Sequence, residues 1–216
     1  MAPVIREDLS KTPLEKCLEA IDAGDREAAK RHARAIWEEW RPLHDLYVDM
    51  AGLFATFIKQ RLGEDAVEEC WRFIGENVWK PILMQIKEQG GTKQLVEVYA
   101  QFLRAHGHEF TVVQDEEKTR FIMHFCASGG MLMRDGHNED SDRHPINIAV
   151  SETEHPRTFG MRGISMYCMH TPLWMDIQPR EWGWDVFRST FGRQFDENGK
   201  RIDAPCVCTI YHEPQS

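Results

Sequence analysis

GHEFTVVQDEEKTRFIMHFC, residues 107–126, marks the point where the sequence changes from a helical to an extended pattern. Residues 109–115 and 118–126 are rich in β-branched and aromatic side chains, and the acidic residues between them favour a turn. This pattern predicts a β-hairpin. The same kind of composition predicts further strands over residues 163–168 and 206–212.

The sequence before the hairpin has the three-to-four spacing of apolar residues that is typical of helices. Thr12-Pro13 predicts a helix start, Gly24 predicts its end, and Pro42 predicts a later break or kink. Helices are expected over residues 26–62, 65–74, 79–88 and 92–105. We predict an α+β fold, with an N-terminal helical bundle packed on a small C-terminal antiparallel sheet. The helical region covers residues 1–107 and the α+β region residues 108–216, and we expect one continuous domain.

The composition argues against several classes of protein. Of the 216 residues, 42% are hydrophobic and 28% are charged, which is ordinary for a globular protein. The net charge of −9 argues against nucleic acid and anionic membranes as partners, because both attract a basic surface. No apolar run is long enough to cross a membrane, and the first residues lack the features of a signal peptide. We therefore expect a cytoplasmic protein whose six cysteines are reduced.

Two short segments, His124-Phe-Cys126 and Cys168-Met-His170, each carry a cysteine and a histidine two residues apart. Residues at this spacing share one face of a strand, so two adjacent strands would bring all four side chains together. Two thiolates and two imidazoles suit a zinc ion, which makes His124, Cys126, Cys168 and His170 candidate metal ligands. A thiolate beside an imidazole is also the pair that nucleophilic catalysis requires. The alternative is that the cysteines are ordinary buried strand residues.

A glycine turn follows the first of these segments. The backbone N–H groups of Gly129 and Gly130 could bind an anion there, next to the Cys126 thiol. We predict Cys126 as a nucleophile or metal ligand, with His170 as the base. Tyr167 and Trp174 lie near the second segment, in a stretch whose aromatic residues could line a pocket for a flat organic substrate.

Three further histidines fall in or near the predicted helices. His44 lies on an apolar helical stretch, where it is either a core residue or a catalytic residue that lines the site from the helical side. His106 and His108 flank Gly107 at a predicted helix end, where histidine interacts favourably with the helix dipole. We interpret the last two as structural residues.

Four sequence elements follow one another in a recognisable order: Asp115-Glu-Glu-Lys118, a strand that ends in Cys126-Ala-Ser-Gly-Gly130, Tyr167-Cys-Met-His170, and a last strand with Cys206 or Cys208 near Tyr211. Over residues 35–213 this order resembles the L-2-amino-thiazoline-4-carboxylic acid hydrolase family of bacterial proteins. The resemblance implies a helical cap over an α+β domain, a cysteine-lined site and hydrolysis of a cyclic C–N bond. In the family the histidine of the third element is followed by a cysteine, whereas this chain has Thr171.

Together these patterns predict a hydrolase or lyase of bacterial catabolism that acts on a small organic molecule. Its Cys/His site would work either through a thiolate or through a bound zinc ion. The alternative is a ligand-sensing protein or a zinc-stabilised binding module without catalysis. The aromatic residues of the second half also suggest a homodimer.

Overall fold

The computed structural model describes residues 7–134, 148–192 and 204–215. The α-helices are α1 Glu7–Ser10, α2 Pro13–Asp22, α3 Arg26–Leu62, α4 Glu64–Ile74, α5 Lys80–Gln89, α6 Gly91–Ala105, α7 Gly129–Arg134, α8 His170–Pro172 and α9 Gln178–Glu181. The strands are β1 Glu109–Gln114, β2 Lys118–Phe125, β3 Phe187–Thr190 and β4 Cys206–Tyr211. Two π-helical segments, Gly75–Trp79 and Leu173–Ile177, and one 3₁₀ turn, Pro156–Thr158, complete the regular structure.

The chain has an α+β fold, as the sequence predicts, with helices first and a four-stranded antiparallel sheet after them. The strand order is β1-β2-β4-β3. The predicted hairpin is β1 and β2, and the predicted last strand is β4. The chain divides into two compact units, Met1–Tyr47 and Val48–Ser216.

The sequence prediction was wrong for residues 163–168, which form turns rather than a strand. Val150 and Ser165 make a single isolated β-bridge there. Ile164, Met166, Tyr167 and Cys168 are all buried. A continuous apolar run does not distinguish a buried strand from another buried segment, because it lacks the alternation of a half-exposed strand. Strand β3, which has four residues, is too short to give a recognisable pattern.

In the first unit, the signals for helix ends agree with the structure. Thr12 and Glu15 form a capping box at the start of α2, with Pro13 in its first turn. The Asp25 side chain accepts a hydrogen bond of 2.9 Å from the backbone N–H of Ala28. Of the break or kink predicted at Pro42, the break does not occur, because α3 continues through Pro42 to Leu62. Proline removes one backbone donor, and a long helix can absorb that loss.

In the second unit, helices α5 and α6 cover one face of the sheet. Leu95, Tyr99 and Leu103 of α6 pack in one cluster with Phe121 of β2 and Ile210 of β4. Tyr99 contacts Phe121 edge-on, with 5.0 Å between the ring centroids. The apolar stripe of α6 is therefore buried against the inner face of the sheet.

Helix α4 holds the segment that follows residue 148 through buried polar contacts. Arg157, whose side chain is 8% exposed, lies 2.7 Å from Glu68. The backbone N–H of Glu152 donates to Glu64 at 2.6 Å, and the indole N–H of Trp71 donates to the Met166 carbonyl at 3.0 Å. These bonds fix residues 152–166 against α4. Among the described residues, no helix is both long and apolar enough to span a bilayer.

The first prediction concerns the buried Arg157 guanidinium. Replacing Arg157 by Met should lower the free energy of unfolding by about 2 to 3 kcal/mol, because Glu64 and Glu68 lose a buried cationic partner. Arg162, which makes an exposed ion pair with Glu154, is the matched control. Arg162→Met should change the stability by less than about 0.5 kcal/mol. Urea denaturation of both variants measures the difference, and equal losses would contradict it.

Candidate functional site

The second unit encloses a cavity of about 490 Å³. Its walls are mainly aromatic: Trp71, Trp79, Tyr99, Phe102, Phe159, Tyr167, Trp174 and Phe191. Four cysteines and three histidines also line it: Cys126, Cys168, Cys206, Cys208, His106, His108 and His170. Among the lining residues that the structure describes, none is a lysine, arginine, aspartate or glutamate. Concave apolar sites with a few polar groups are typical binding sites for small molecules.

The β1–β2 hairpin places His108 beside Cys126. Phe110 pairs with Met123, but a bulge shifts the next pair to Glu109 and Phe125. Continuing this register sets His108 across from Cys126. The backbone N–H of Ala127 donates to Nδ1 of His108 at 2.9 Å, which holds the imidazole at this position. The sequence interpretation of His108 as a helix-end residue missed this contact.

The surroundings of Cys126 favour the thiolate form of its side chain. Burial alone would raise the pKa of its thiol, but the hydrogen bond and charge of His108 act in the opposite direction. Hydrogen bonds from the Ser128 hydroxyl and the Gly130 backbone N–H lower it further, and together these contacts bring the pKa to about 6. A thiolate, rather than a thiol, is the nucleophilic form of cysteine.

Ser128 connects Cys126 to Tyr167. The Ser128 Oγ lies 3.5 Å from the Cys126 Sγ and also makes a hydrogen bond with the Tyr167 side chain. Burial raises the pKa of Tyr167 well above its usual range, and the nearby Cys126 raises it further. Tyr167 therefore keeps its phenolic proton and can donate it in a hydrogen bond inside the cavity.

The other three cavity cysteines remain neutral thiols. Burial raises the pKa of Cys168 well above its usual value, that of Cys206 to about 11 and that of Cys208 to about 12. Tyr99 contacts Cys208, with 2.8 Å between the hydroxyl oxygen and the sulfur. Of the four cavity cysteines, Cys126 is therefore the one that is ionised at neutral pH.

His170, the predicted base, lies in the same cavity in an aromatic cage. Its ring centroid is 4.8 Å from those of Tyr167 and Trp174 and 5.4 Å from that of Trp71. Its Nδ1 donates to the Tyr167 carbonyl, and burial lowers its pKa to about 4. The neutral ring therefore leaves Nε2 as an acceptor. The imidazole that bonds Cys126 is that of His108.

The predicted strand pairing of the two Cys/His segments is wrong. Cys168 lies in a turn and His170 begins α8, so these residues do not share a strand face. His124 is exposed, because Met123 faces the core and neighbouring residues of β2 alternate. Its Nε2 lies 2.7 Å from the Thr111 hydroxyl.

The zinc set His124, Cys126, Cys168 and His170 therefore lacks the shared strand face on which it was based. Within residues 7–134, 148–192 and 204–215, no three or more side chains of His, Cys, Asp or Glu are arranged to hold a metal ion. Zinc binding stays an untested prediction.

Gly129 and Gly130 begin helix α7 rather than forming the predicted turn, which lies one step earlier at Ala127 and Ser128. Gly129, Gly130, Tyr167 and Trp174 all line the cavity. Gly129 has a packing role, because a Cβ atom there would overlap the sulfur of Cys168. The Gly130 backbone N–H makes its hydrogen bond with the Cys126 sulfur. The first turn of α7 thus stabilises the negative charge of the Cys126 thiolate.

His44 belongs to the first unit, where it is buried. Its Nδ1 lies 2.9 Å from Asp45, and its ring centroid is 4.6 Å from that of Trp40. These contacts account for a histidine on an apolar helix face. A catalytic role for His44 stays a prediction.

Comparisons of the chain with protein-family models, with curated proteins and with solved structures found no match. The resemblance to the L-2-amino-thiazoline-4-carboxylic acid hydrolase family thus stays a prediction from the sequence. The chemistry of the site has to be argued from its own geometry.

The close contact of Gly129 with Cys168 gives a second prediction. Gly129→Ala should lower the free energy of unfolding by about 1 to 3 kcal/mol, because the added methyl group overlaps a buried sulfur. Cys168→Ala in the same chain should recover part of this loss, since it removes the sulfur. Denaturation of the single and double variants measures the coupling energy. Strictly additive effects would contradict the contact.

The Cys126–His108 pair gives a third prediction. The rate of Cys126 alkylation by iodoacetamide should rise with pH and reach half its maximum near the pKa of about 6. His108→Gln removes the group that lowers this pKa most, so the half-maximal rate should move to higher pH. At pH 7 the rate should fall about tenfold.

Peptide mass spectrometry would assign the alkylated cysteine in each sample. His106→Gln is the matched control, because His106 stacks on His108 with 5.5 Å between the ring centroids. This control should keep the wild-type pH profile. A wild-type profile centred near pH 9, or one that His108→Gln leaves unchanged, would contradict the pairing.

Proposed function

We propose that this protein is a cysteine-dependent hydrolase or lyase of a small, flat and largely apolar organic molecule. The observation that carries the proposal is the position of the Cys126 thiol at the wall of an aromatic cavity, with Ser128 3.5 Å from its sulfur and His108 beside it, contacts that lower its pKa. Cys126 is the nucleophile and His108 is the group that moves protons. The cytoplasmic location and the role in catabolism are part of this proposal.

The first chemical step is attack by the Cys126 thiolate on an electrophilic carbon of an ester, amide or cyclic amidine. A bond forms between sulfur and carbon, and the electron pair of the C=O or C=N bond moves to its oxygen or nitrogen. When that double bond re-forms, the bond to the leaving group breaks and the leaving group takes a proton. Water then attacks the thioester or its nitrogen analogue, releases the product and restores the thiolate.

His108 is the nearest residue that can carry these protons. Its Nδ1 accepts the Ala127 backbone N–H, so the neutral ring holds its own proton on Nε2. Protonation of Nδ1 displaces the Ala127 N–H, and the adjacent thiolate offsets this loss by attracting the imidazolium charge. The imidazolium can then donate its Nε2 proton, which lies on the side of Cys126, to the leaving group and recover one at Nε2 from the attacking water.

The shape and polarity of the cavity support a flat, uncharged substrate. Trp71 and Trp174 meet edge to face, at 5.4 Å between the centroids, and Trp79 lies 5.9 Å from Trp174. Such rings favour contact with another planar group. The neutral His170 offers an acceptor at Nε2, and Tyr167 offers a donor. These two groups would orient the polar atoms of the substrate.

The alternative is a ligand-binding protein that uses the same cavity without turnover. The aromatic cage around His170 favours it, because a cage alone suffices to bind a planar ligand. The two functions differ in what Cys126 does. A sensor needs no ionised thiol, whereas the hydrolase loses its activity without one.

The fourth prediction uses p-nitrophenyl acetate as a small, flat and uncharged ester. Wild-type protein should release a burst of p-nitrophenolate equal to the protein concentration, followed by slower turnover, because a thioester forms first. Cys126→Ala should abolish the burst. Cys168→Ala, which removes a neutral thiol of the same cavity, should keep it.

Intact-protein mass spectrometry during the burst should detect one acetyl group, located on Cys126. Hydrolysis by Cys126→Ala at the wild-type rate would exclude Cys126 as the nucleophile. Tight binding of planar ligands with no burst would favour the sensor.

A further inference from the structure

We propose that two copies of this chain pair along one apolar face of helix α3. This α3 face consists of Ile36, Leu43, Tyr47, Met50, Phe54 and Phe57. The proposal is independent of the chemistry at Cys126.

The α3 face has the seven-residue repeat of helices that pair with each other. Ile36, Leu43, Met50 and Phe57 are each seven residues apart. Trp40, Tyr47 and Phe54 form a second series with the same period, offset by four residues. These two series are the d and a positions of a coiled coil, whose period of 3.5 residues keeps the apolar positions facing a partner helix.

The side chains of the α3 face are exposed in both units. In the first unit, Ile36, Leu43 and Tyr47 are exposed by 43%, 50% and 61%. In the second unit, Met50, Phe54 and Phe57 are exposed by 38%, 62% and 58%. A face of large apolar side chains is unusual on the surface of a monomer.

Another face of α3 packs against the core of the second unit. Val48, Ala55 and Thr56 are buried. Gly52 lies against Ile148, since a Cβ atom there would be 3.0 Å from Ile148 Cδ1. This contact explains one apolar face of the helix. Met50, Phe54 and Phe57 lie on a separate apolar face, which stays exposed among the residues that the structure describes.

The exposed area reaches the lower end of what a dimer buries. A fully exposed aromatic side chain presents about 150 to 250 Å². Tyr47, Phe54 and Phe57 each leave more than half of their surface exposed, so they offer about 300 Å² together. With the aliphatic members of the α3 face, each copy offers about 500 Å², so a pair would bury about 1,000 Å², the area that a specific interface has to reach.

The heptad repeat favours a second copy over other partners. Identical repeats are complementary to each other, and a twofold axis lets one apolar face cover its own equivalent. A membrane surface is disfavoured by the net charge of −9, because amphipathic helices that bind lipid are usually rich in basic residues. Within the described part of the chain, the aromatic residues of the second half, from which the sequence suggested a homodimer, do not form a comparable exposed face. Trp184 and Phe187 are buried in the core.

The fifth prediction is tested by sedimentation velocity of the full chain over a wide concentration range. Wild-type protein should sediment at micromolar concentration with twice the chain mass of 25.2 kDa. Phe54→Glu should weaken dimerisation at least about a hundredfold, because each dimer would place two carboxylates in an apolar interface. Phe73→Glu is the matched control, since Phe73 on α4 is 69% exposed outside the α3 face. It should remain dimeric.

Each variant must have the same helical content as wild type by circular dichroism, because an unfolded chain would also sediment as a monomer. If Phe54→Glu fails this requirement, Leu43→Glu replaces it and should dissociate the dimer in the same way. A monomeric wild type would overturn the proposal, whether or not it binds phosphatidylcholine vesicles. A dimer that the α3 variants leave intact, or that Phe73→Glu weakens equally, would also overturn it.

Discussion

The hydrogen bond from the Ala127 backbone N–H to Nδ1 of His108 is the contact on which the site depends. It joins the residue before β1 to the residues after β2, at the open end of the hairpin. Without it, nothing in the hairpin ladder would fix the imidazole beside Cys126. The same bond limits the proton chemistry, because it occupies the lone pair that a histidine base would use.

A thiolate in an apolar cavity has to be stabilised by several polar groups, because burial disfavours its charge. Burial keeps Cys168, Cys206 and Cys208 in their thiol forms. Cys126 differs because β2 ends at Phe125 and the chain turns into α7. That turn brings the Ser128 hydroxyl and the Gly130 backbone N–H to its sulfur. Position in the backbone, rather than residue type, thus separates the one ionised cysteine from the three neutral ones.

The sequence predicted helices α2 to α6 and three of the four described strands because these segments have regular periodicity. It also placed Cys126, Tyr167, His170 and Trp174 near the site, since their residue types suggested chemistry. It missed His108 because the one-residue bulge between Glu109 and Phe110 changes which residues face each other. A regular hairpin would set His108 opposite Phe125. A bulge depends on tertiary contacts, which local sequence does not specify.

Irregular backbone surrounds the cavity on several sides. Trp79 ends one π-helical segment and Trp174 lies in the other, and both indole rings line the cavity. The bulge at the hairpin end and the turns before His170 contribute His108 and Tyr167. Each irregular segment departs from the regular pattern of backbone hydrogen bonds. Such departures are kept where they place side chains in positions that a regular element would not reach. Their concentration around Cys126 is what selection for a binding or catalytic site would produce, whereas stability alone would favour regular elements.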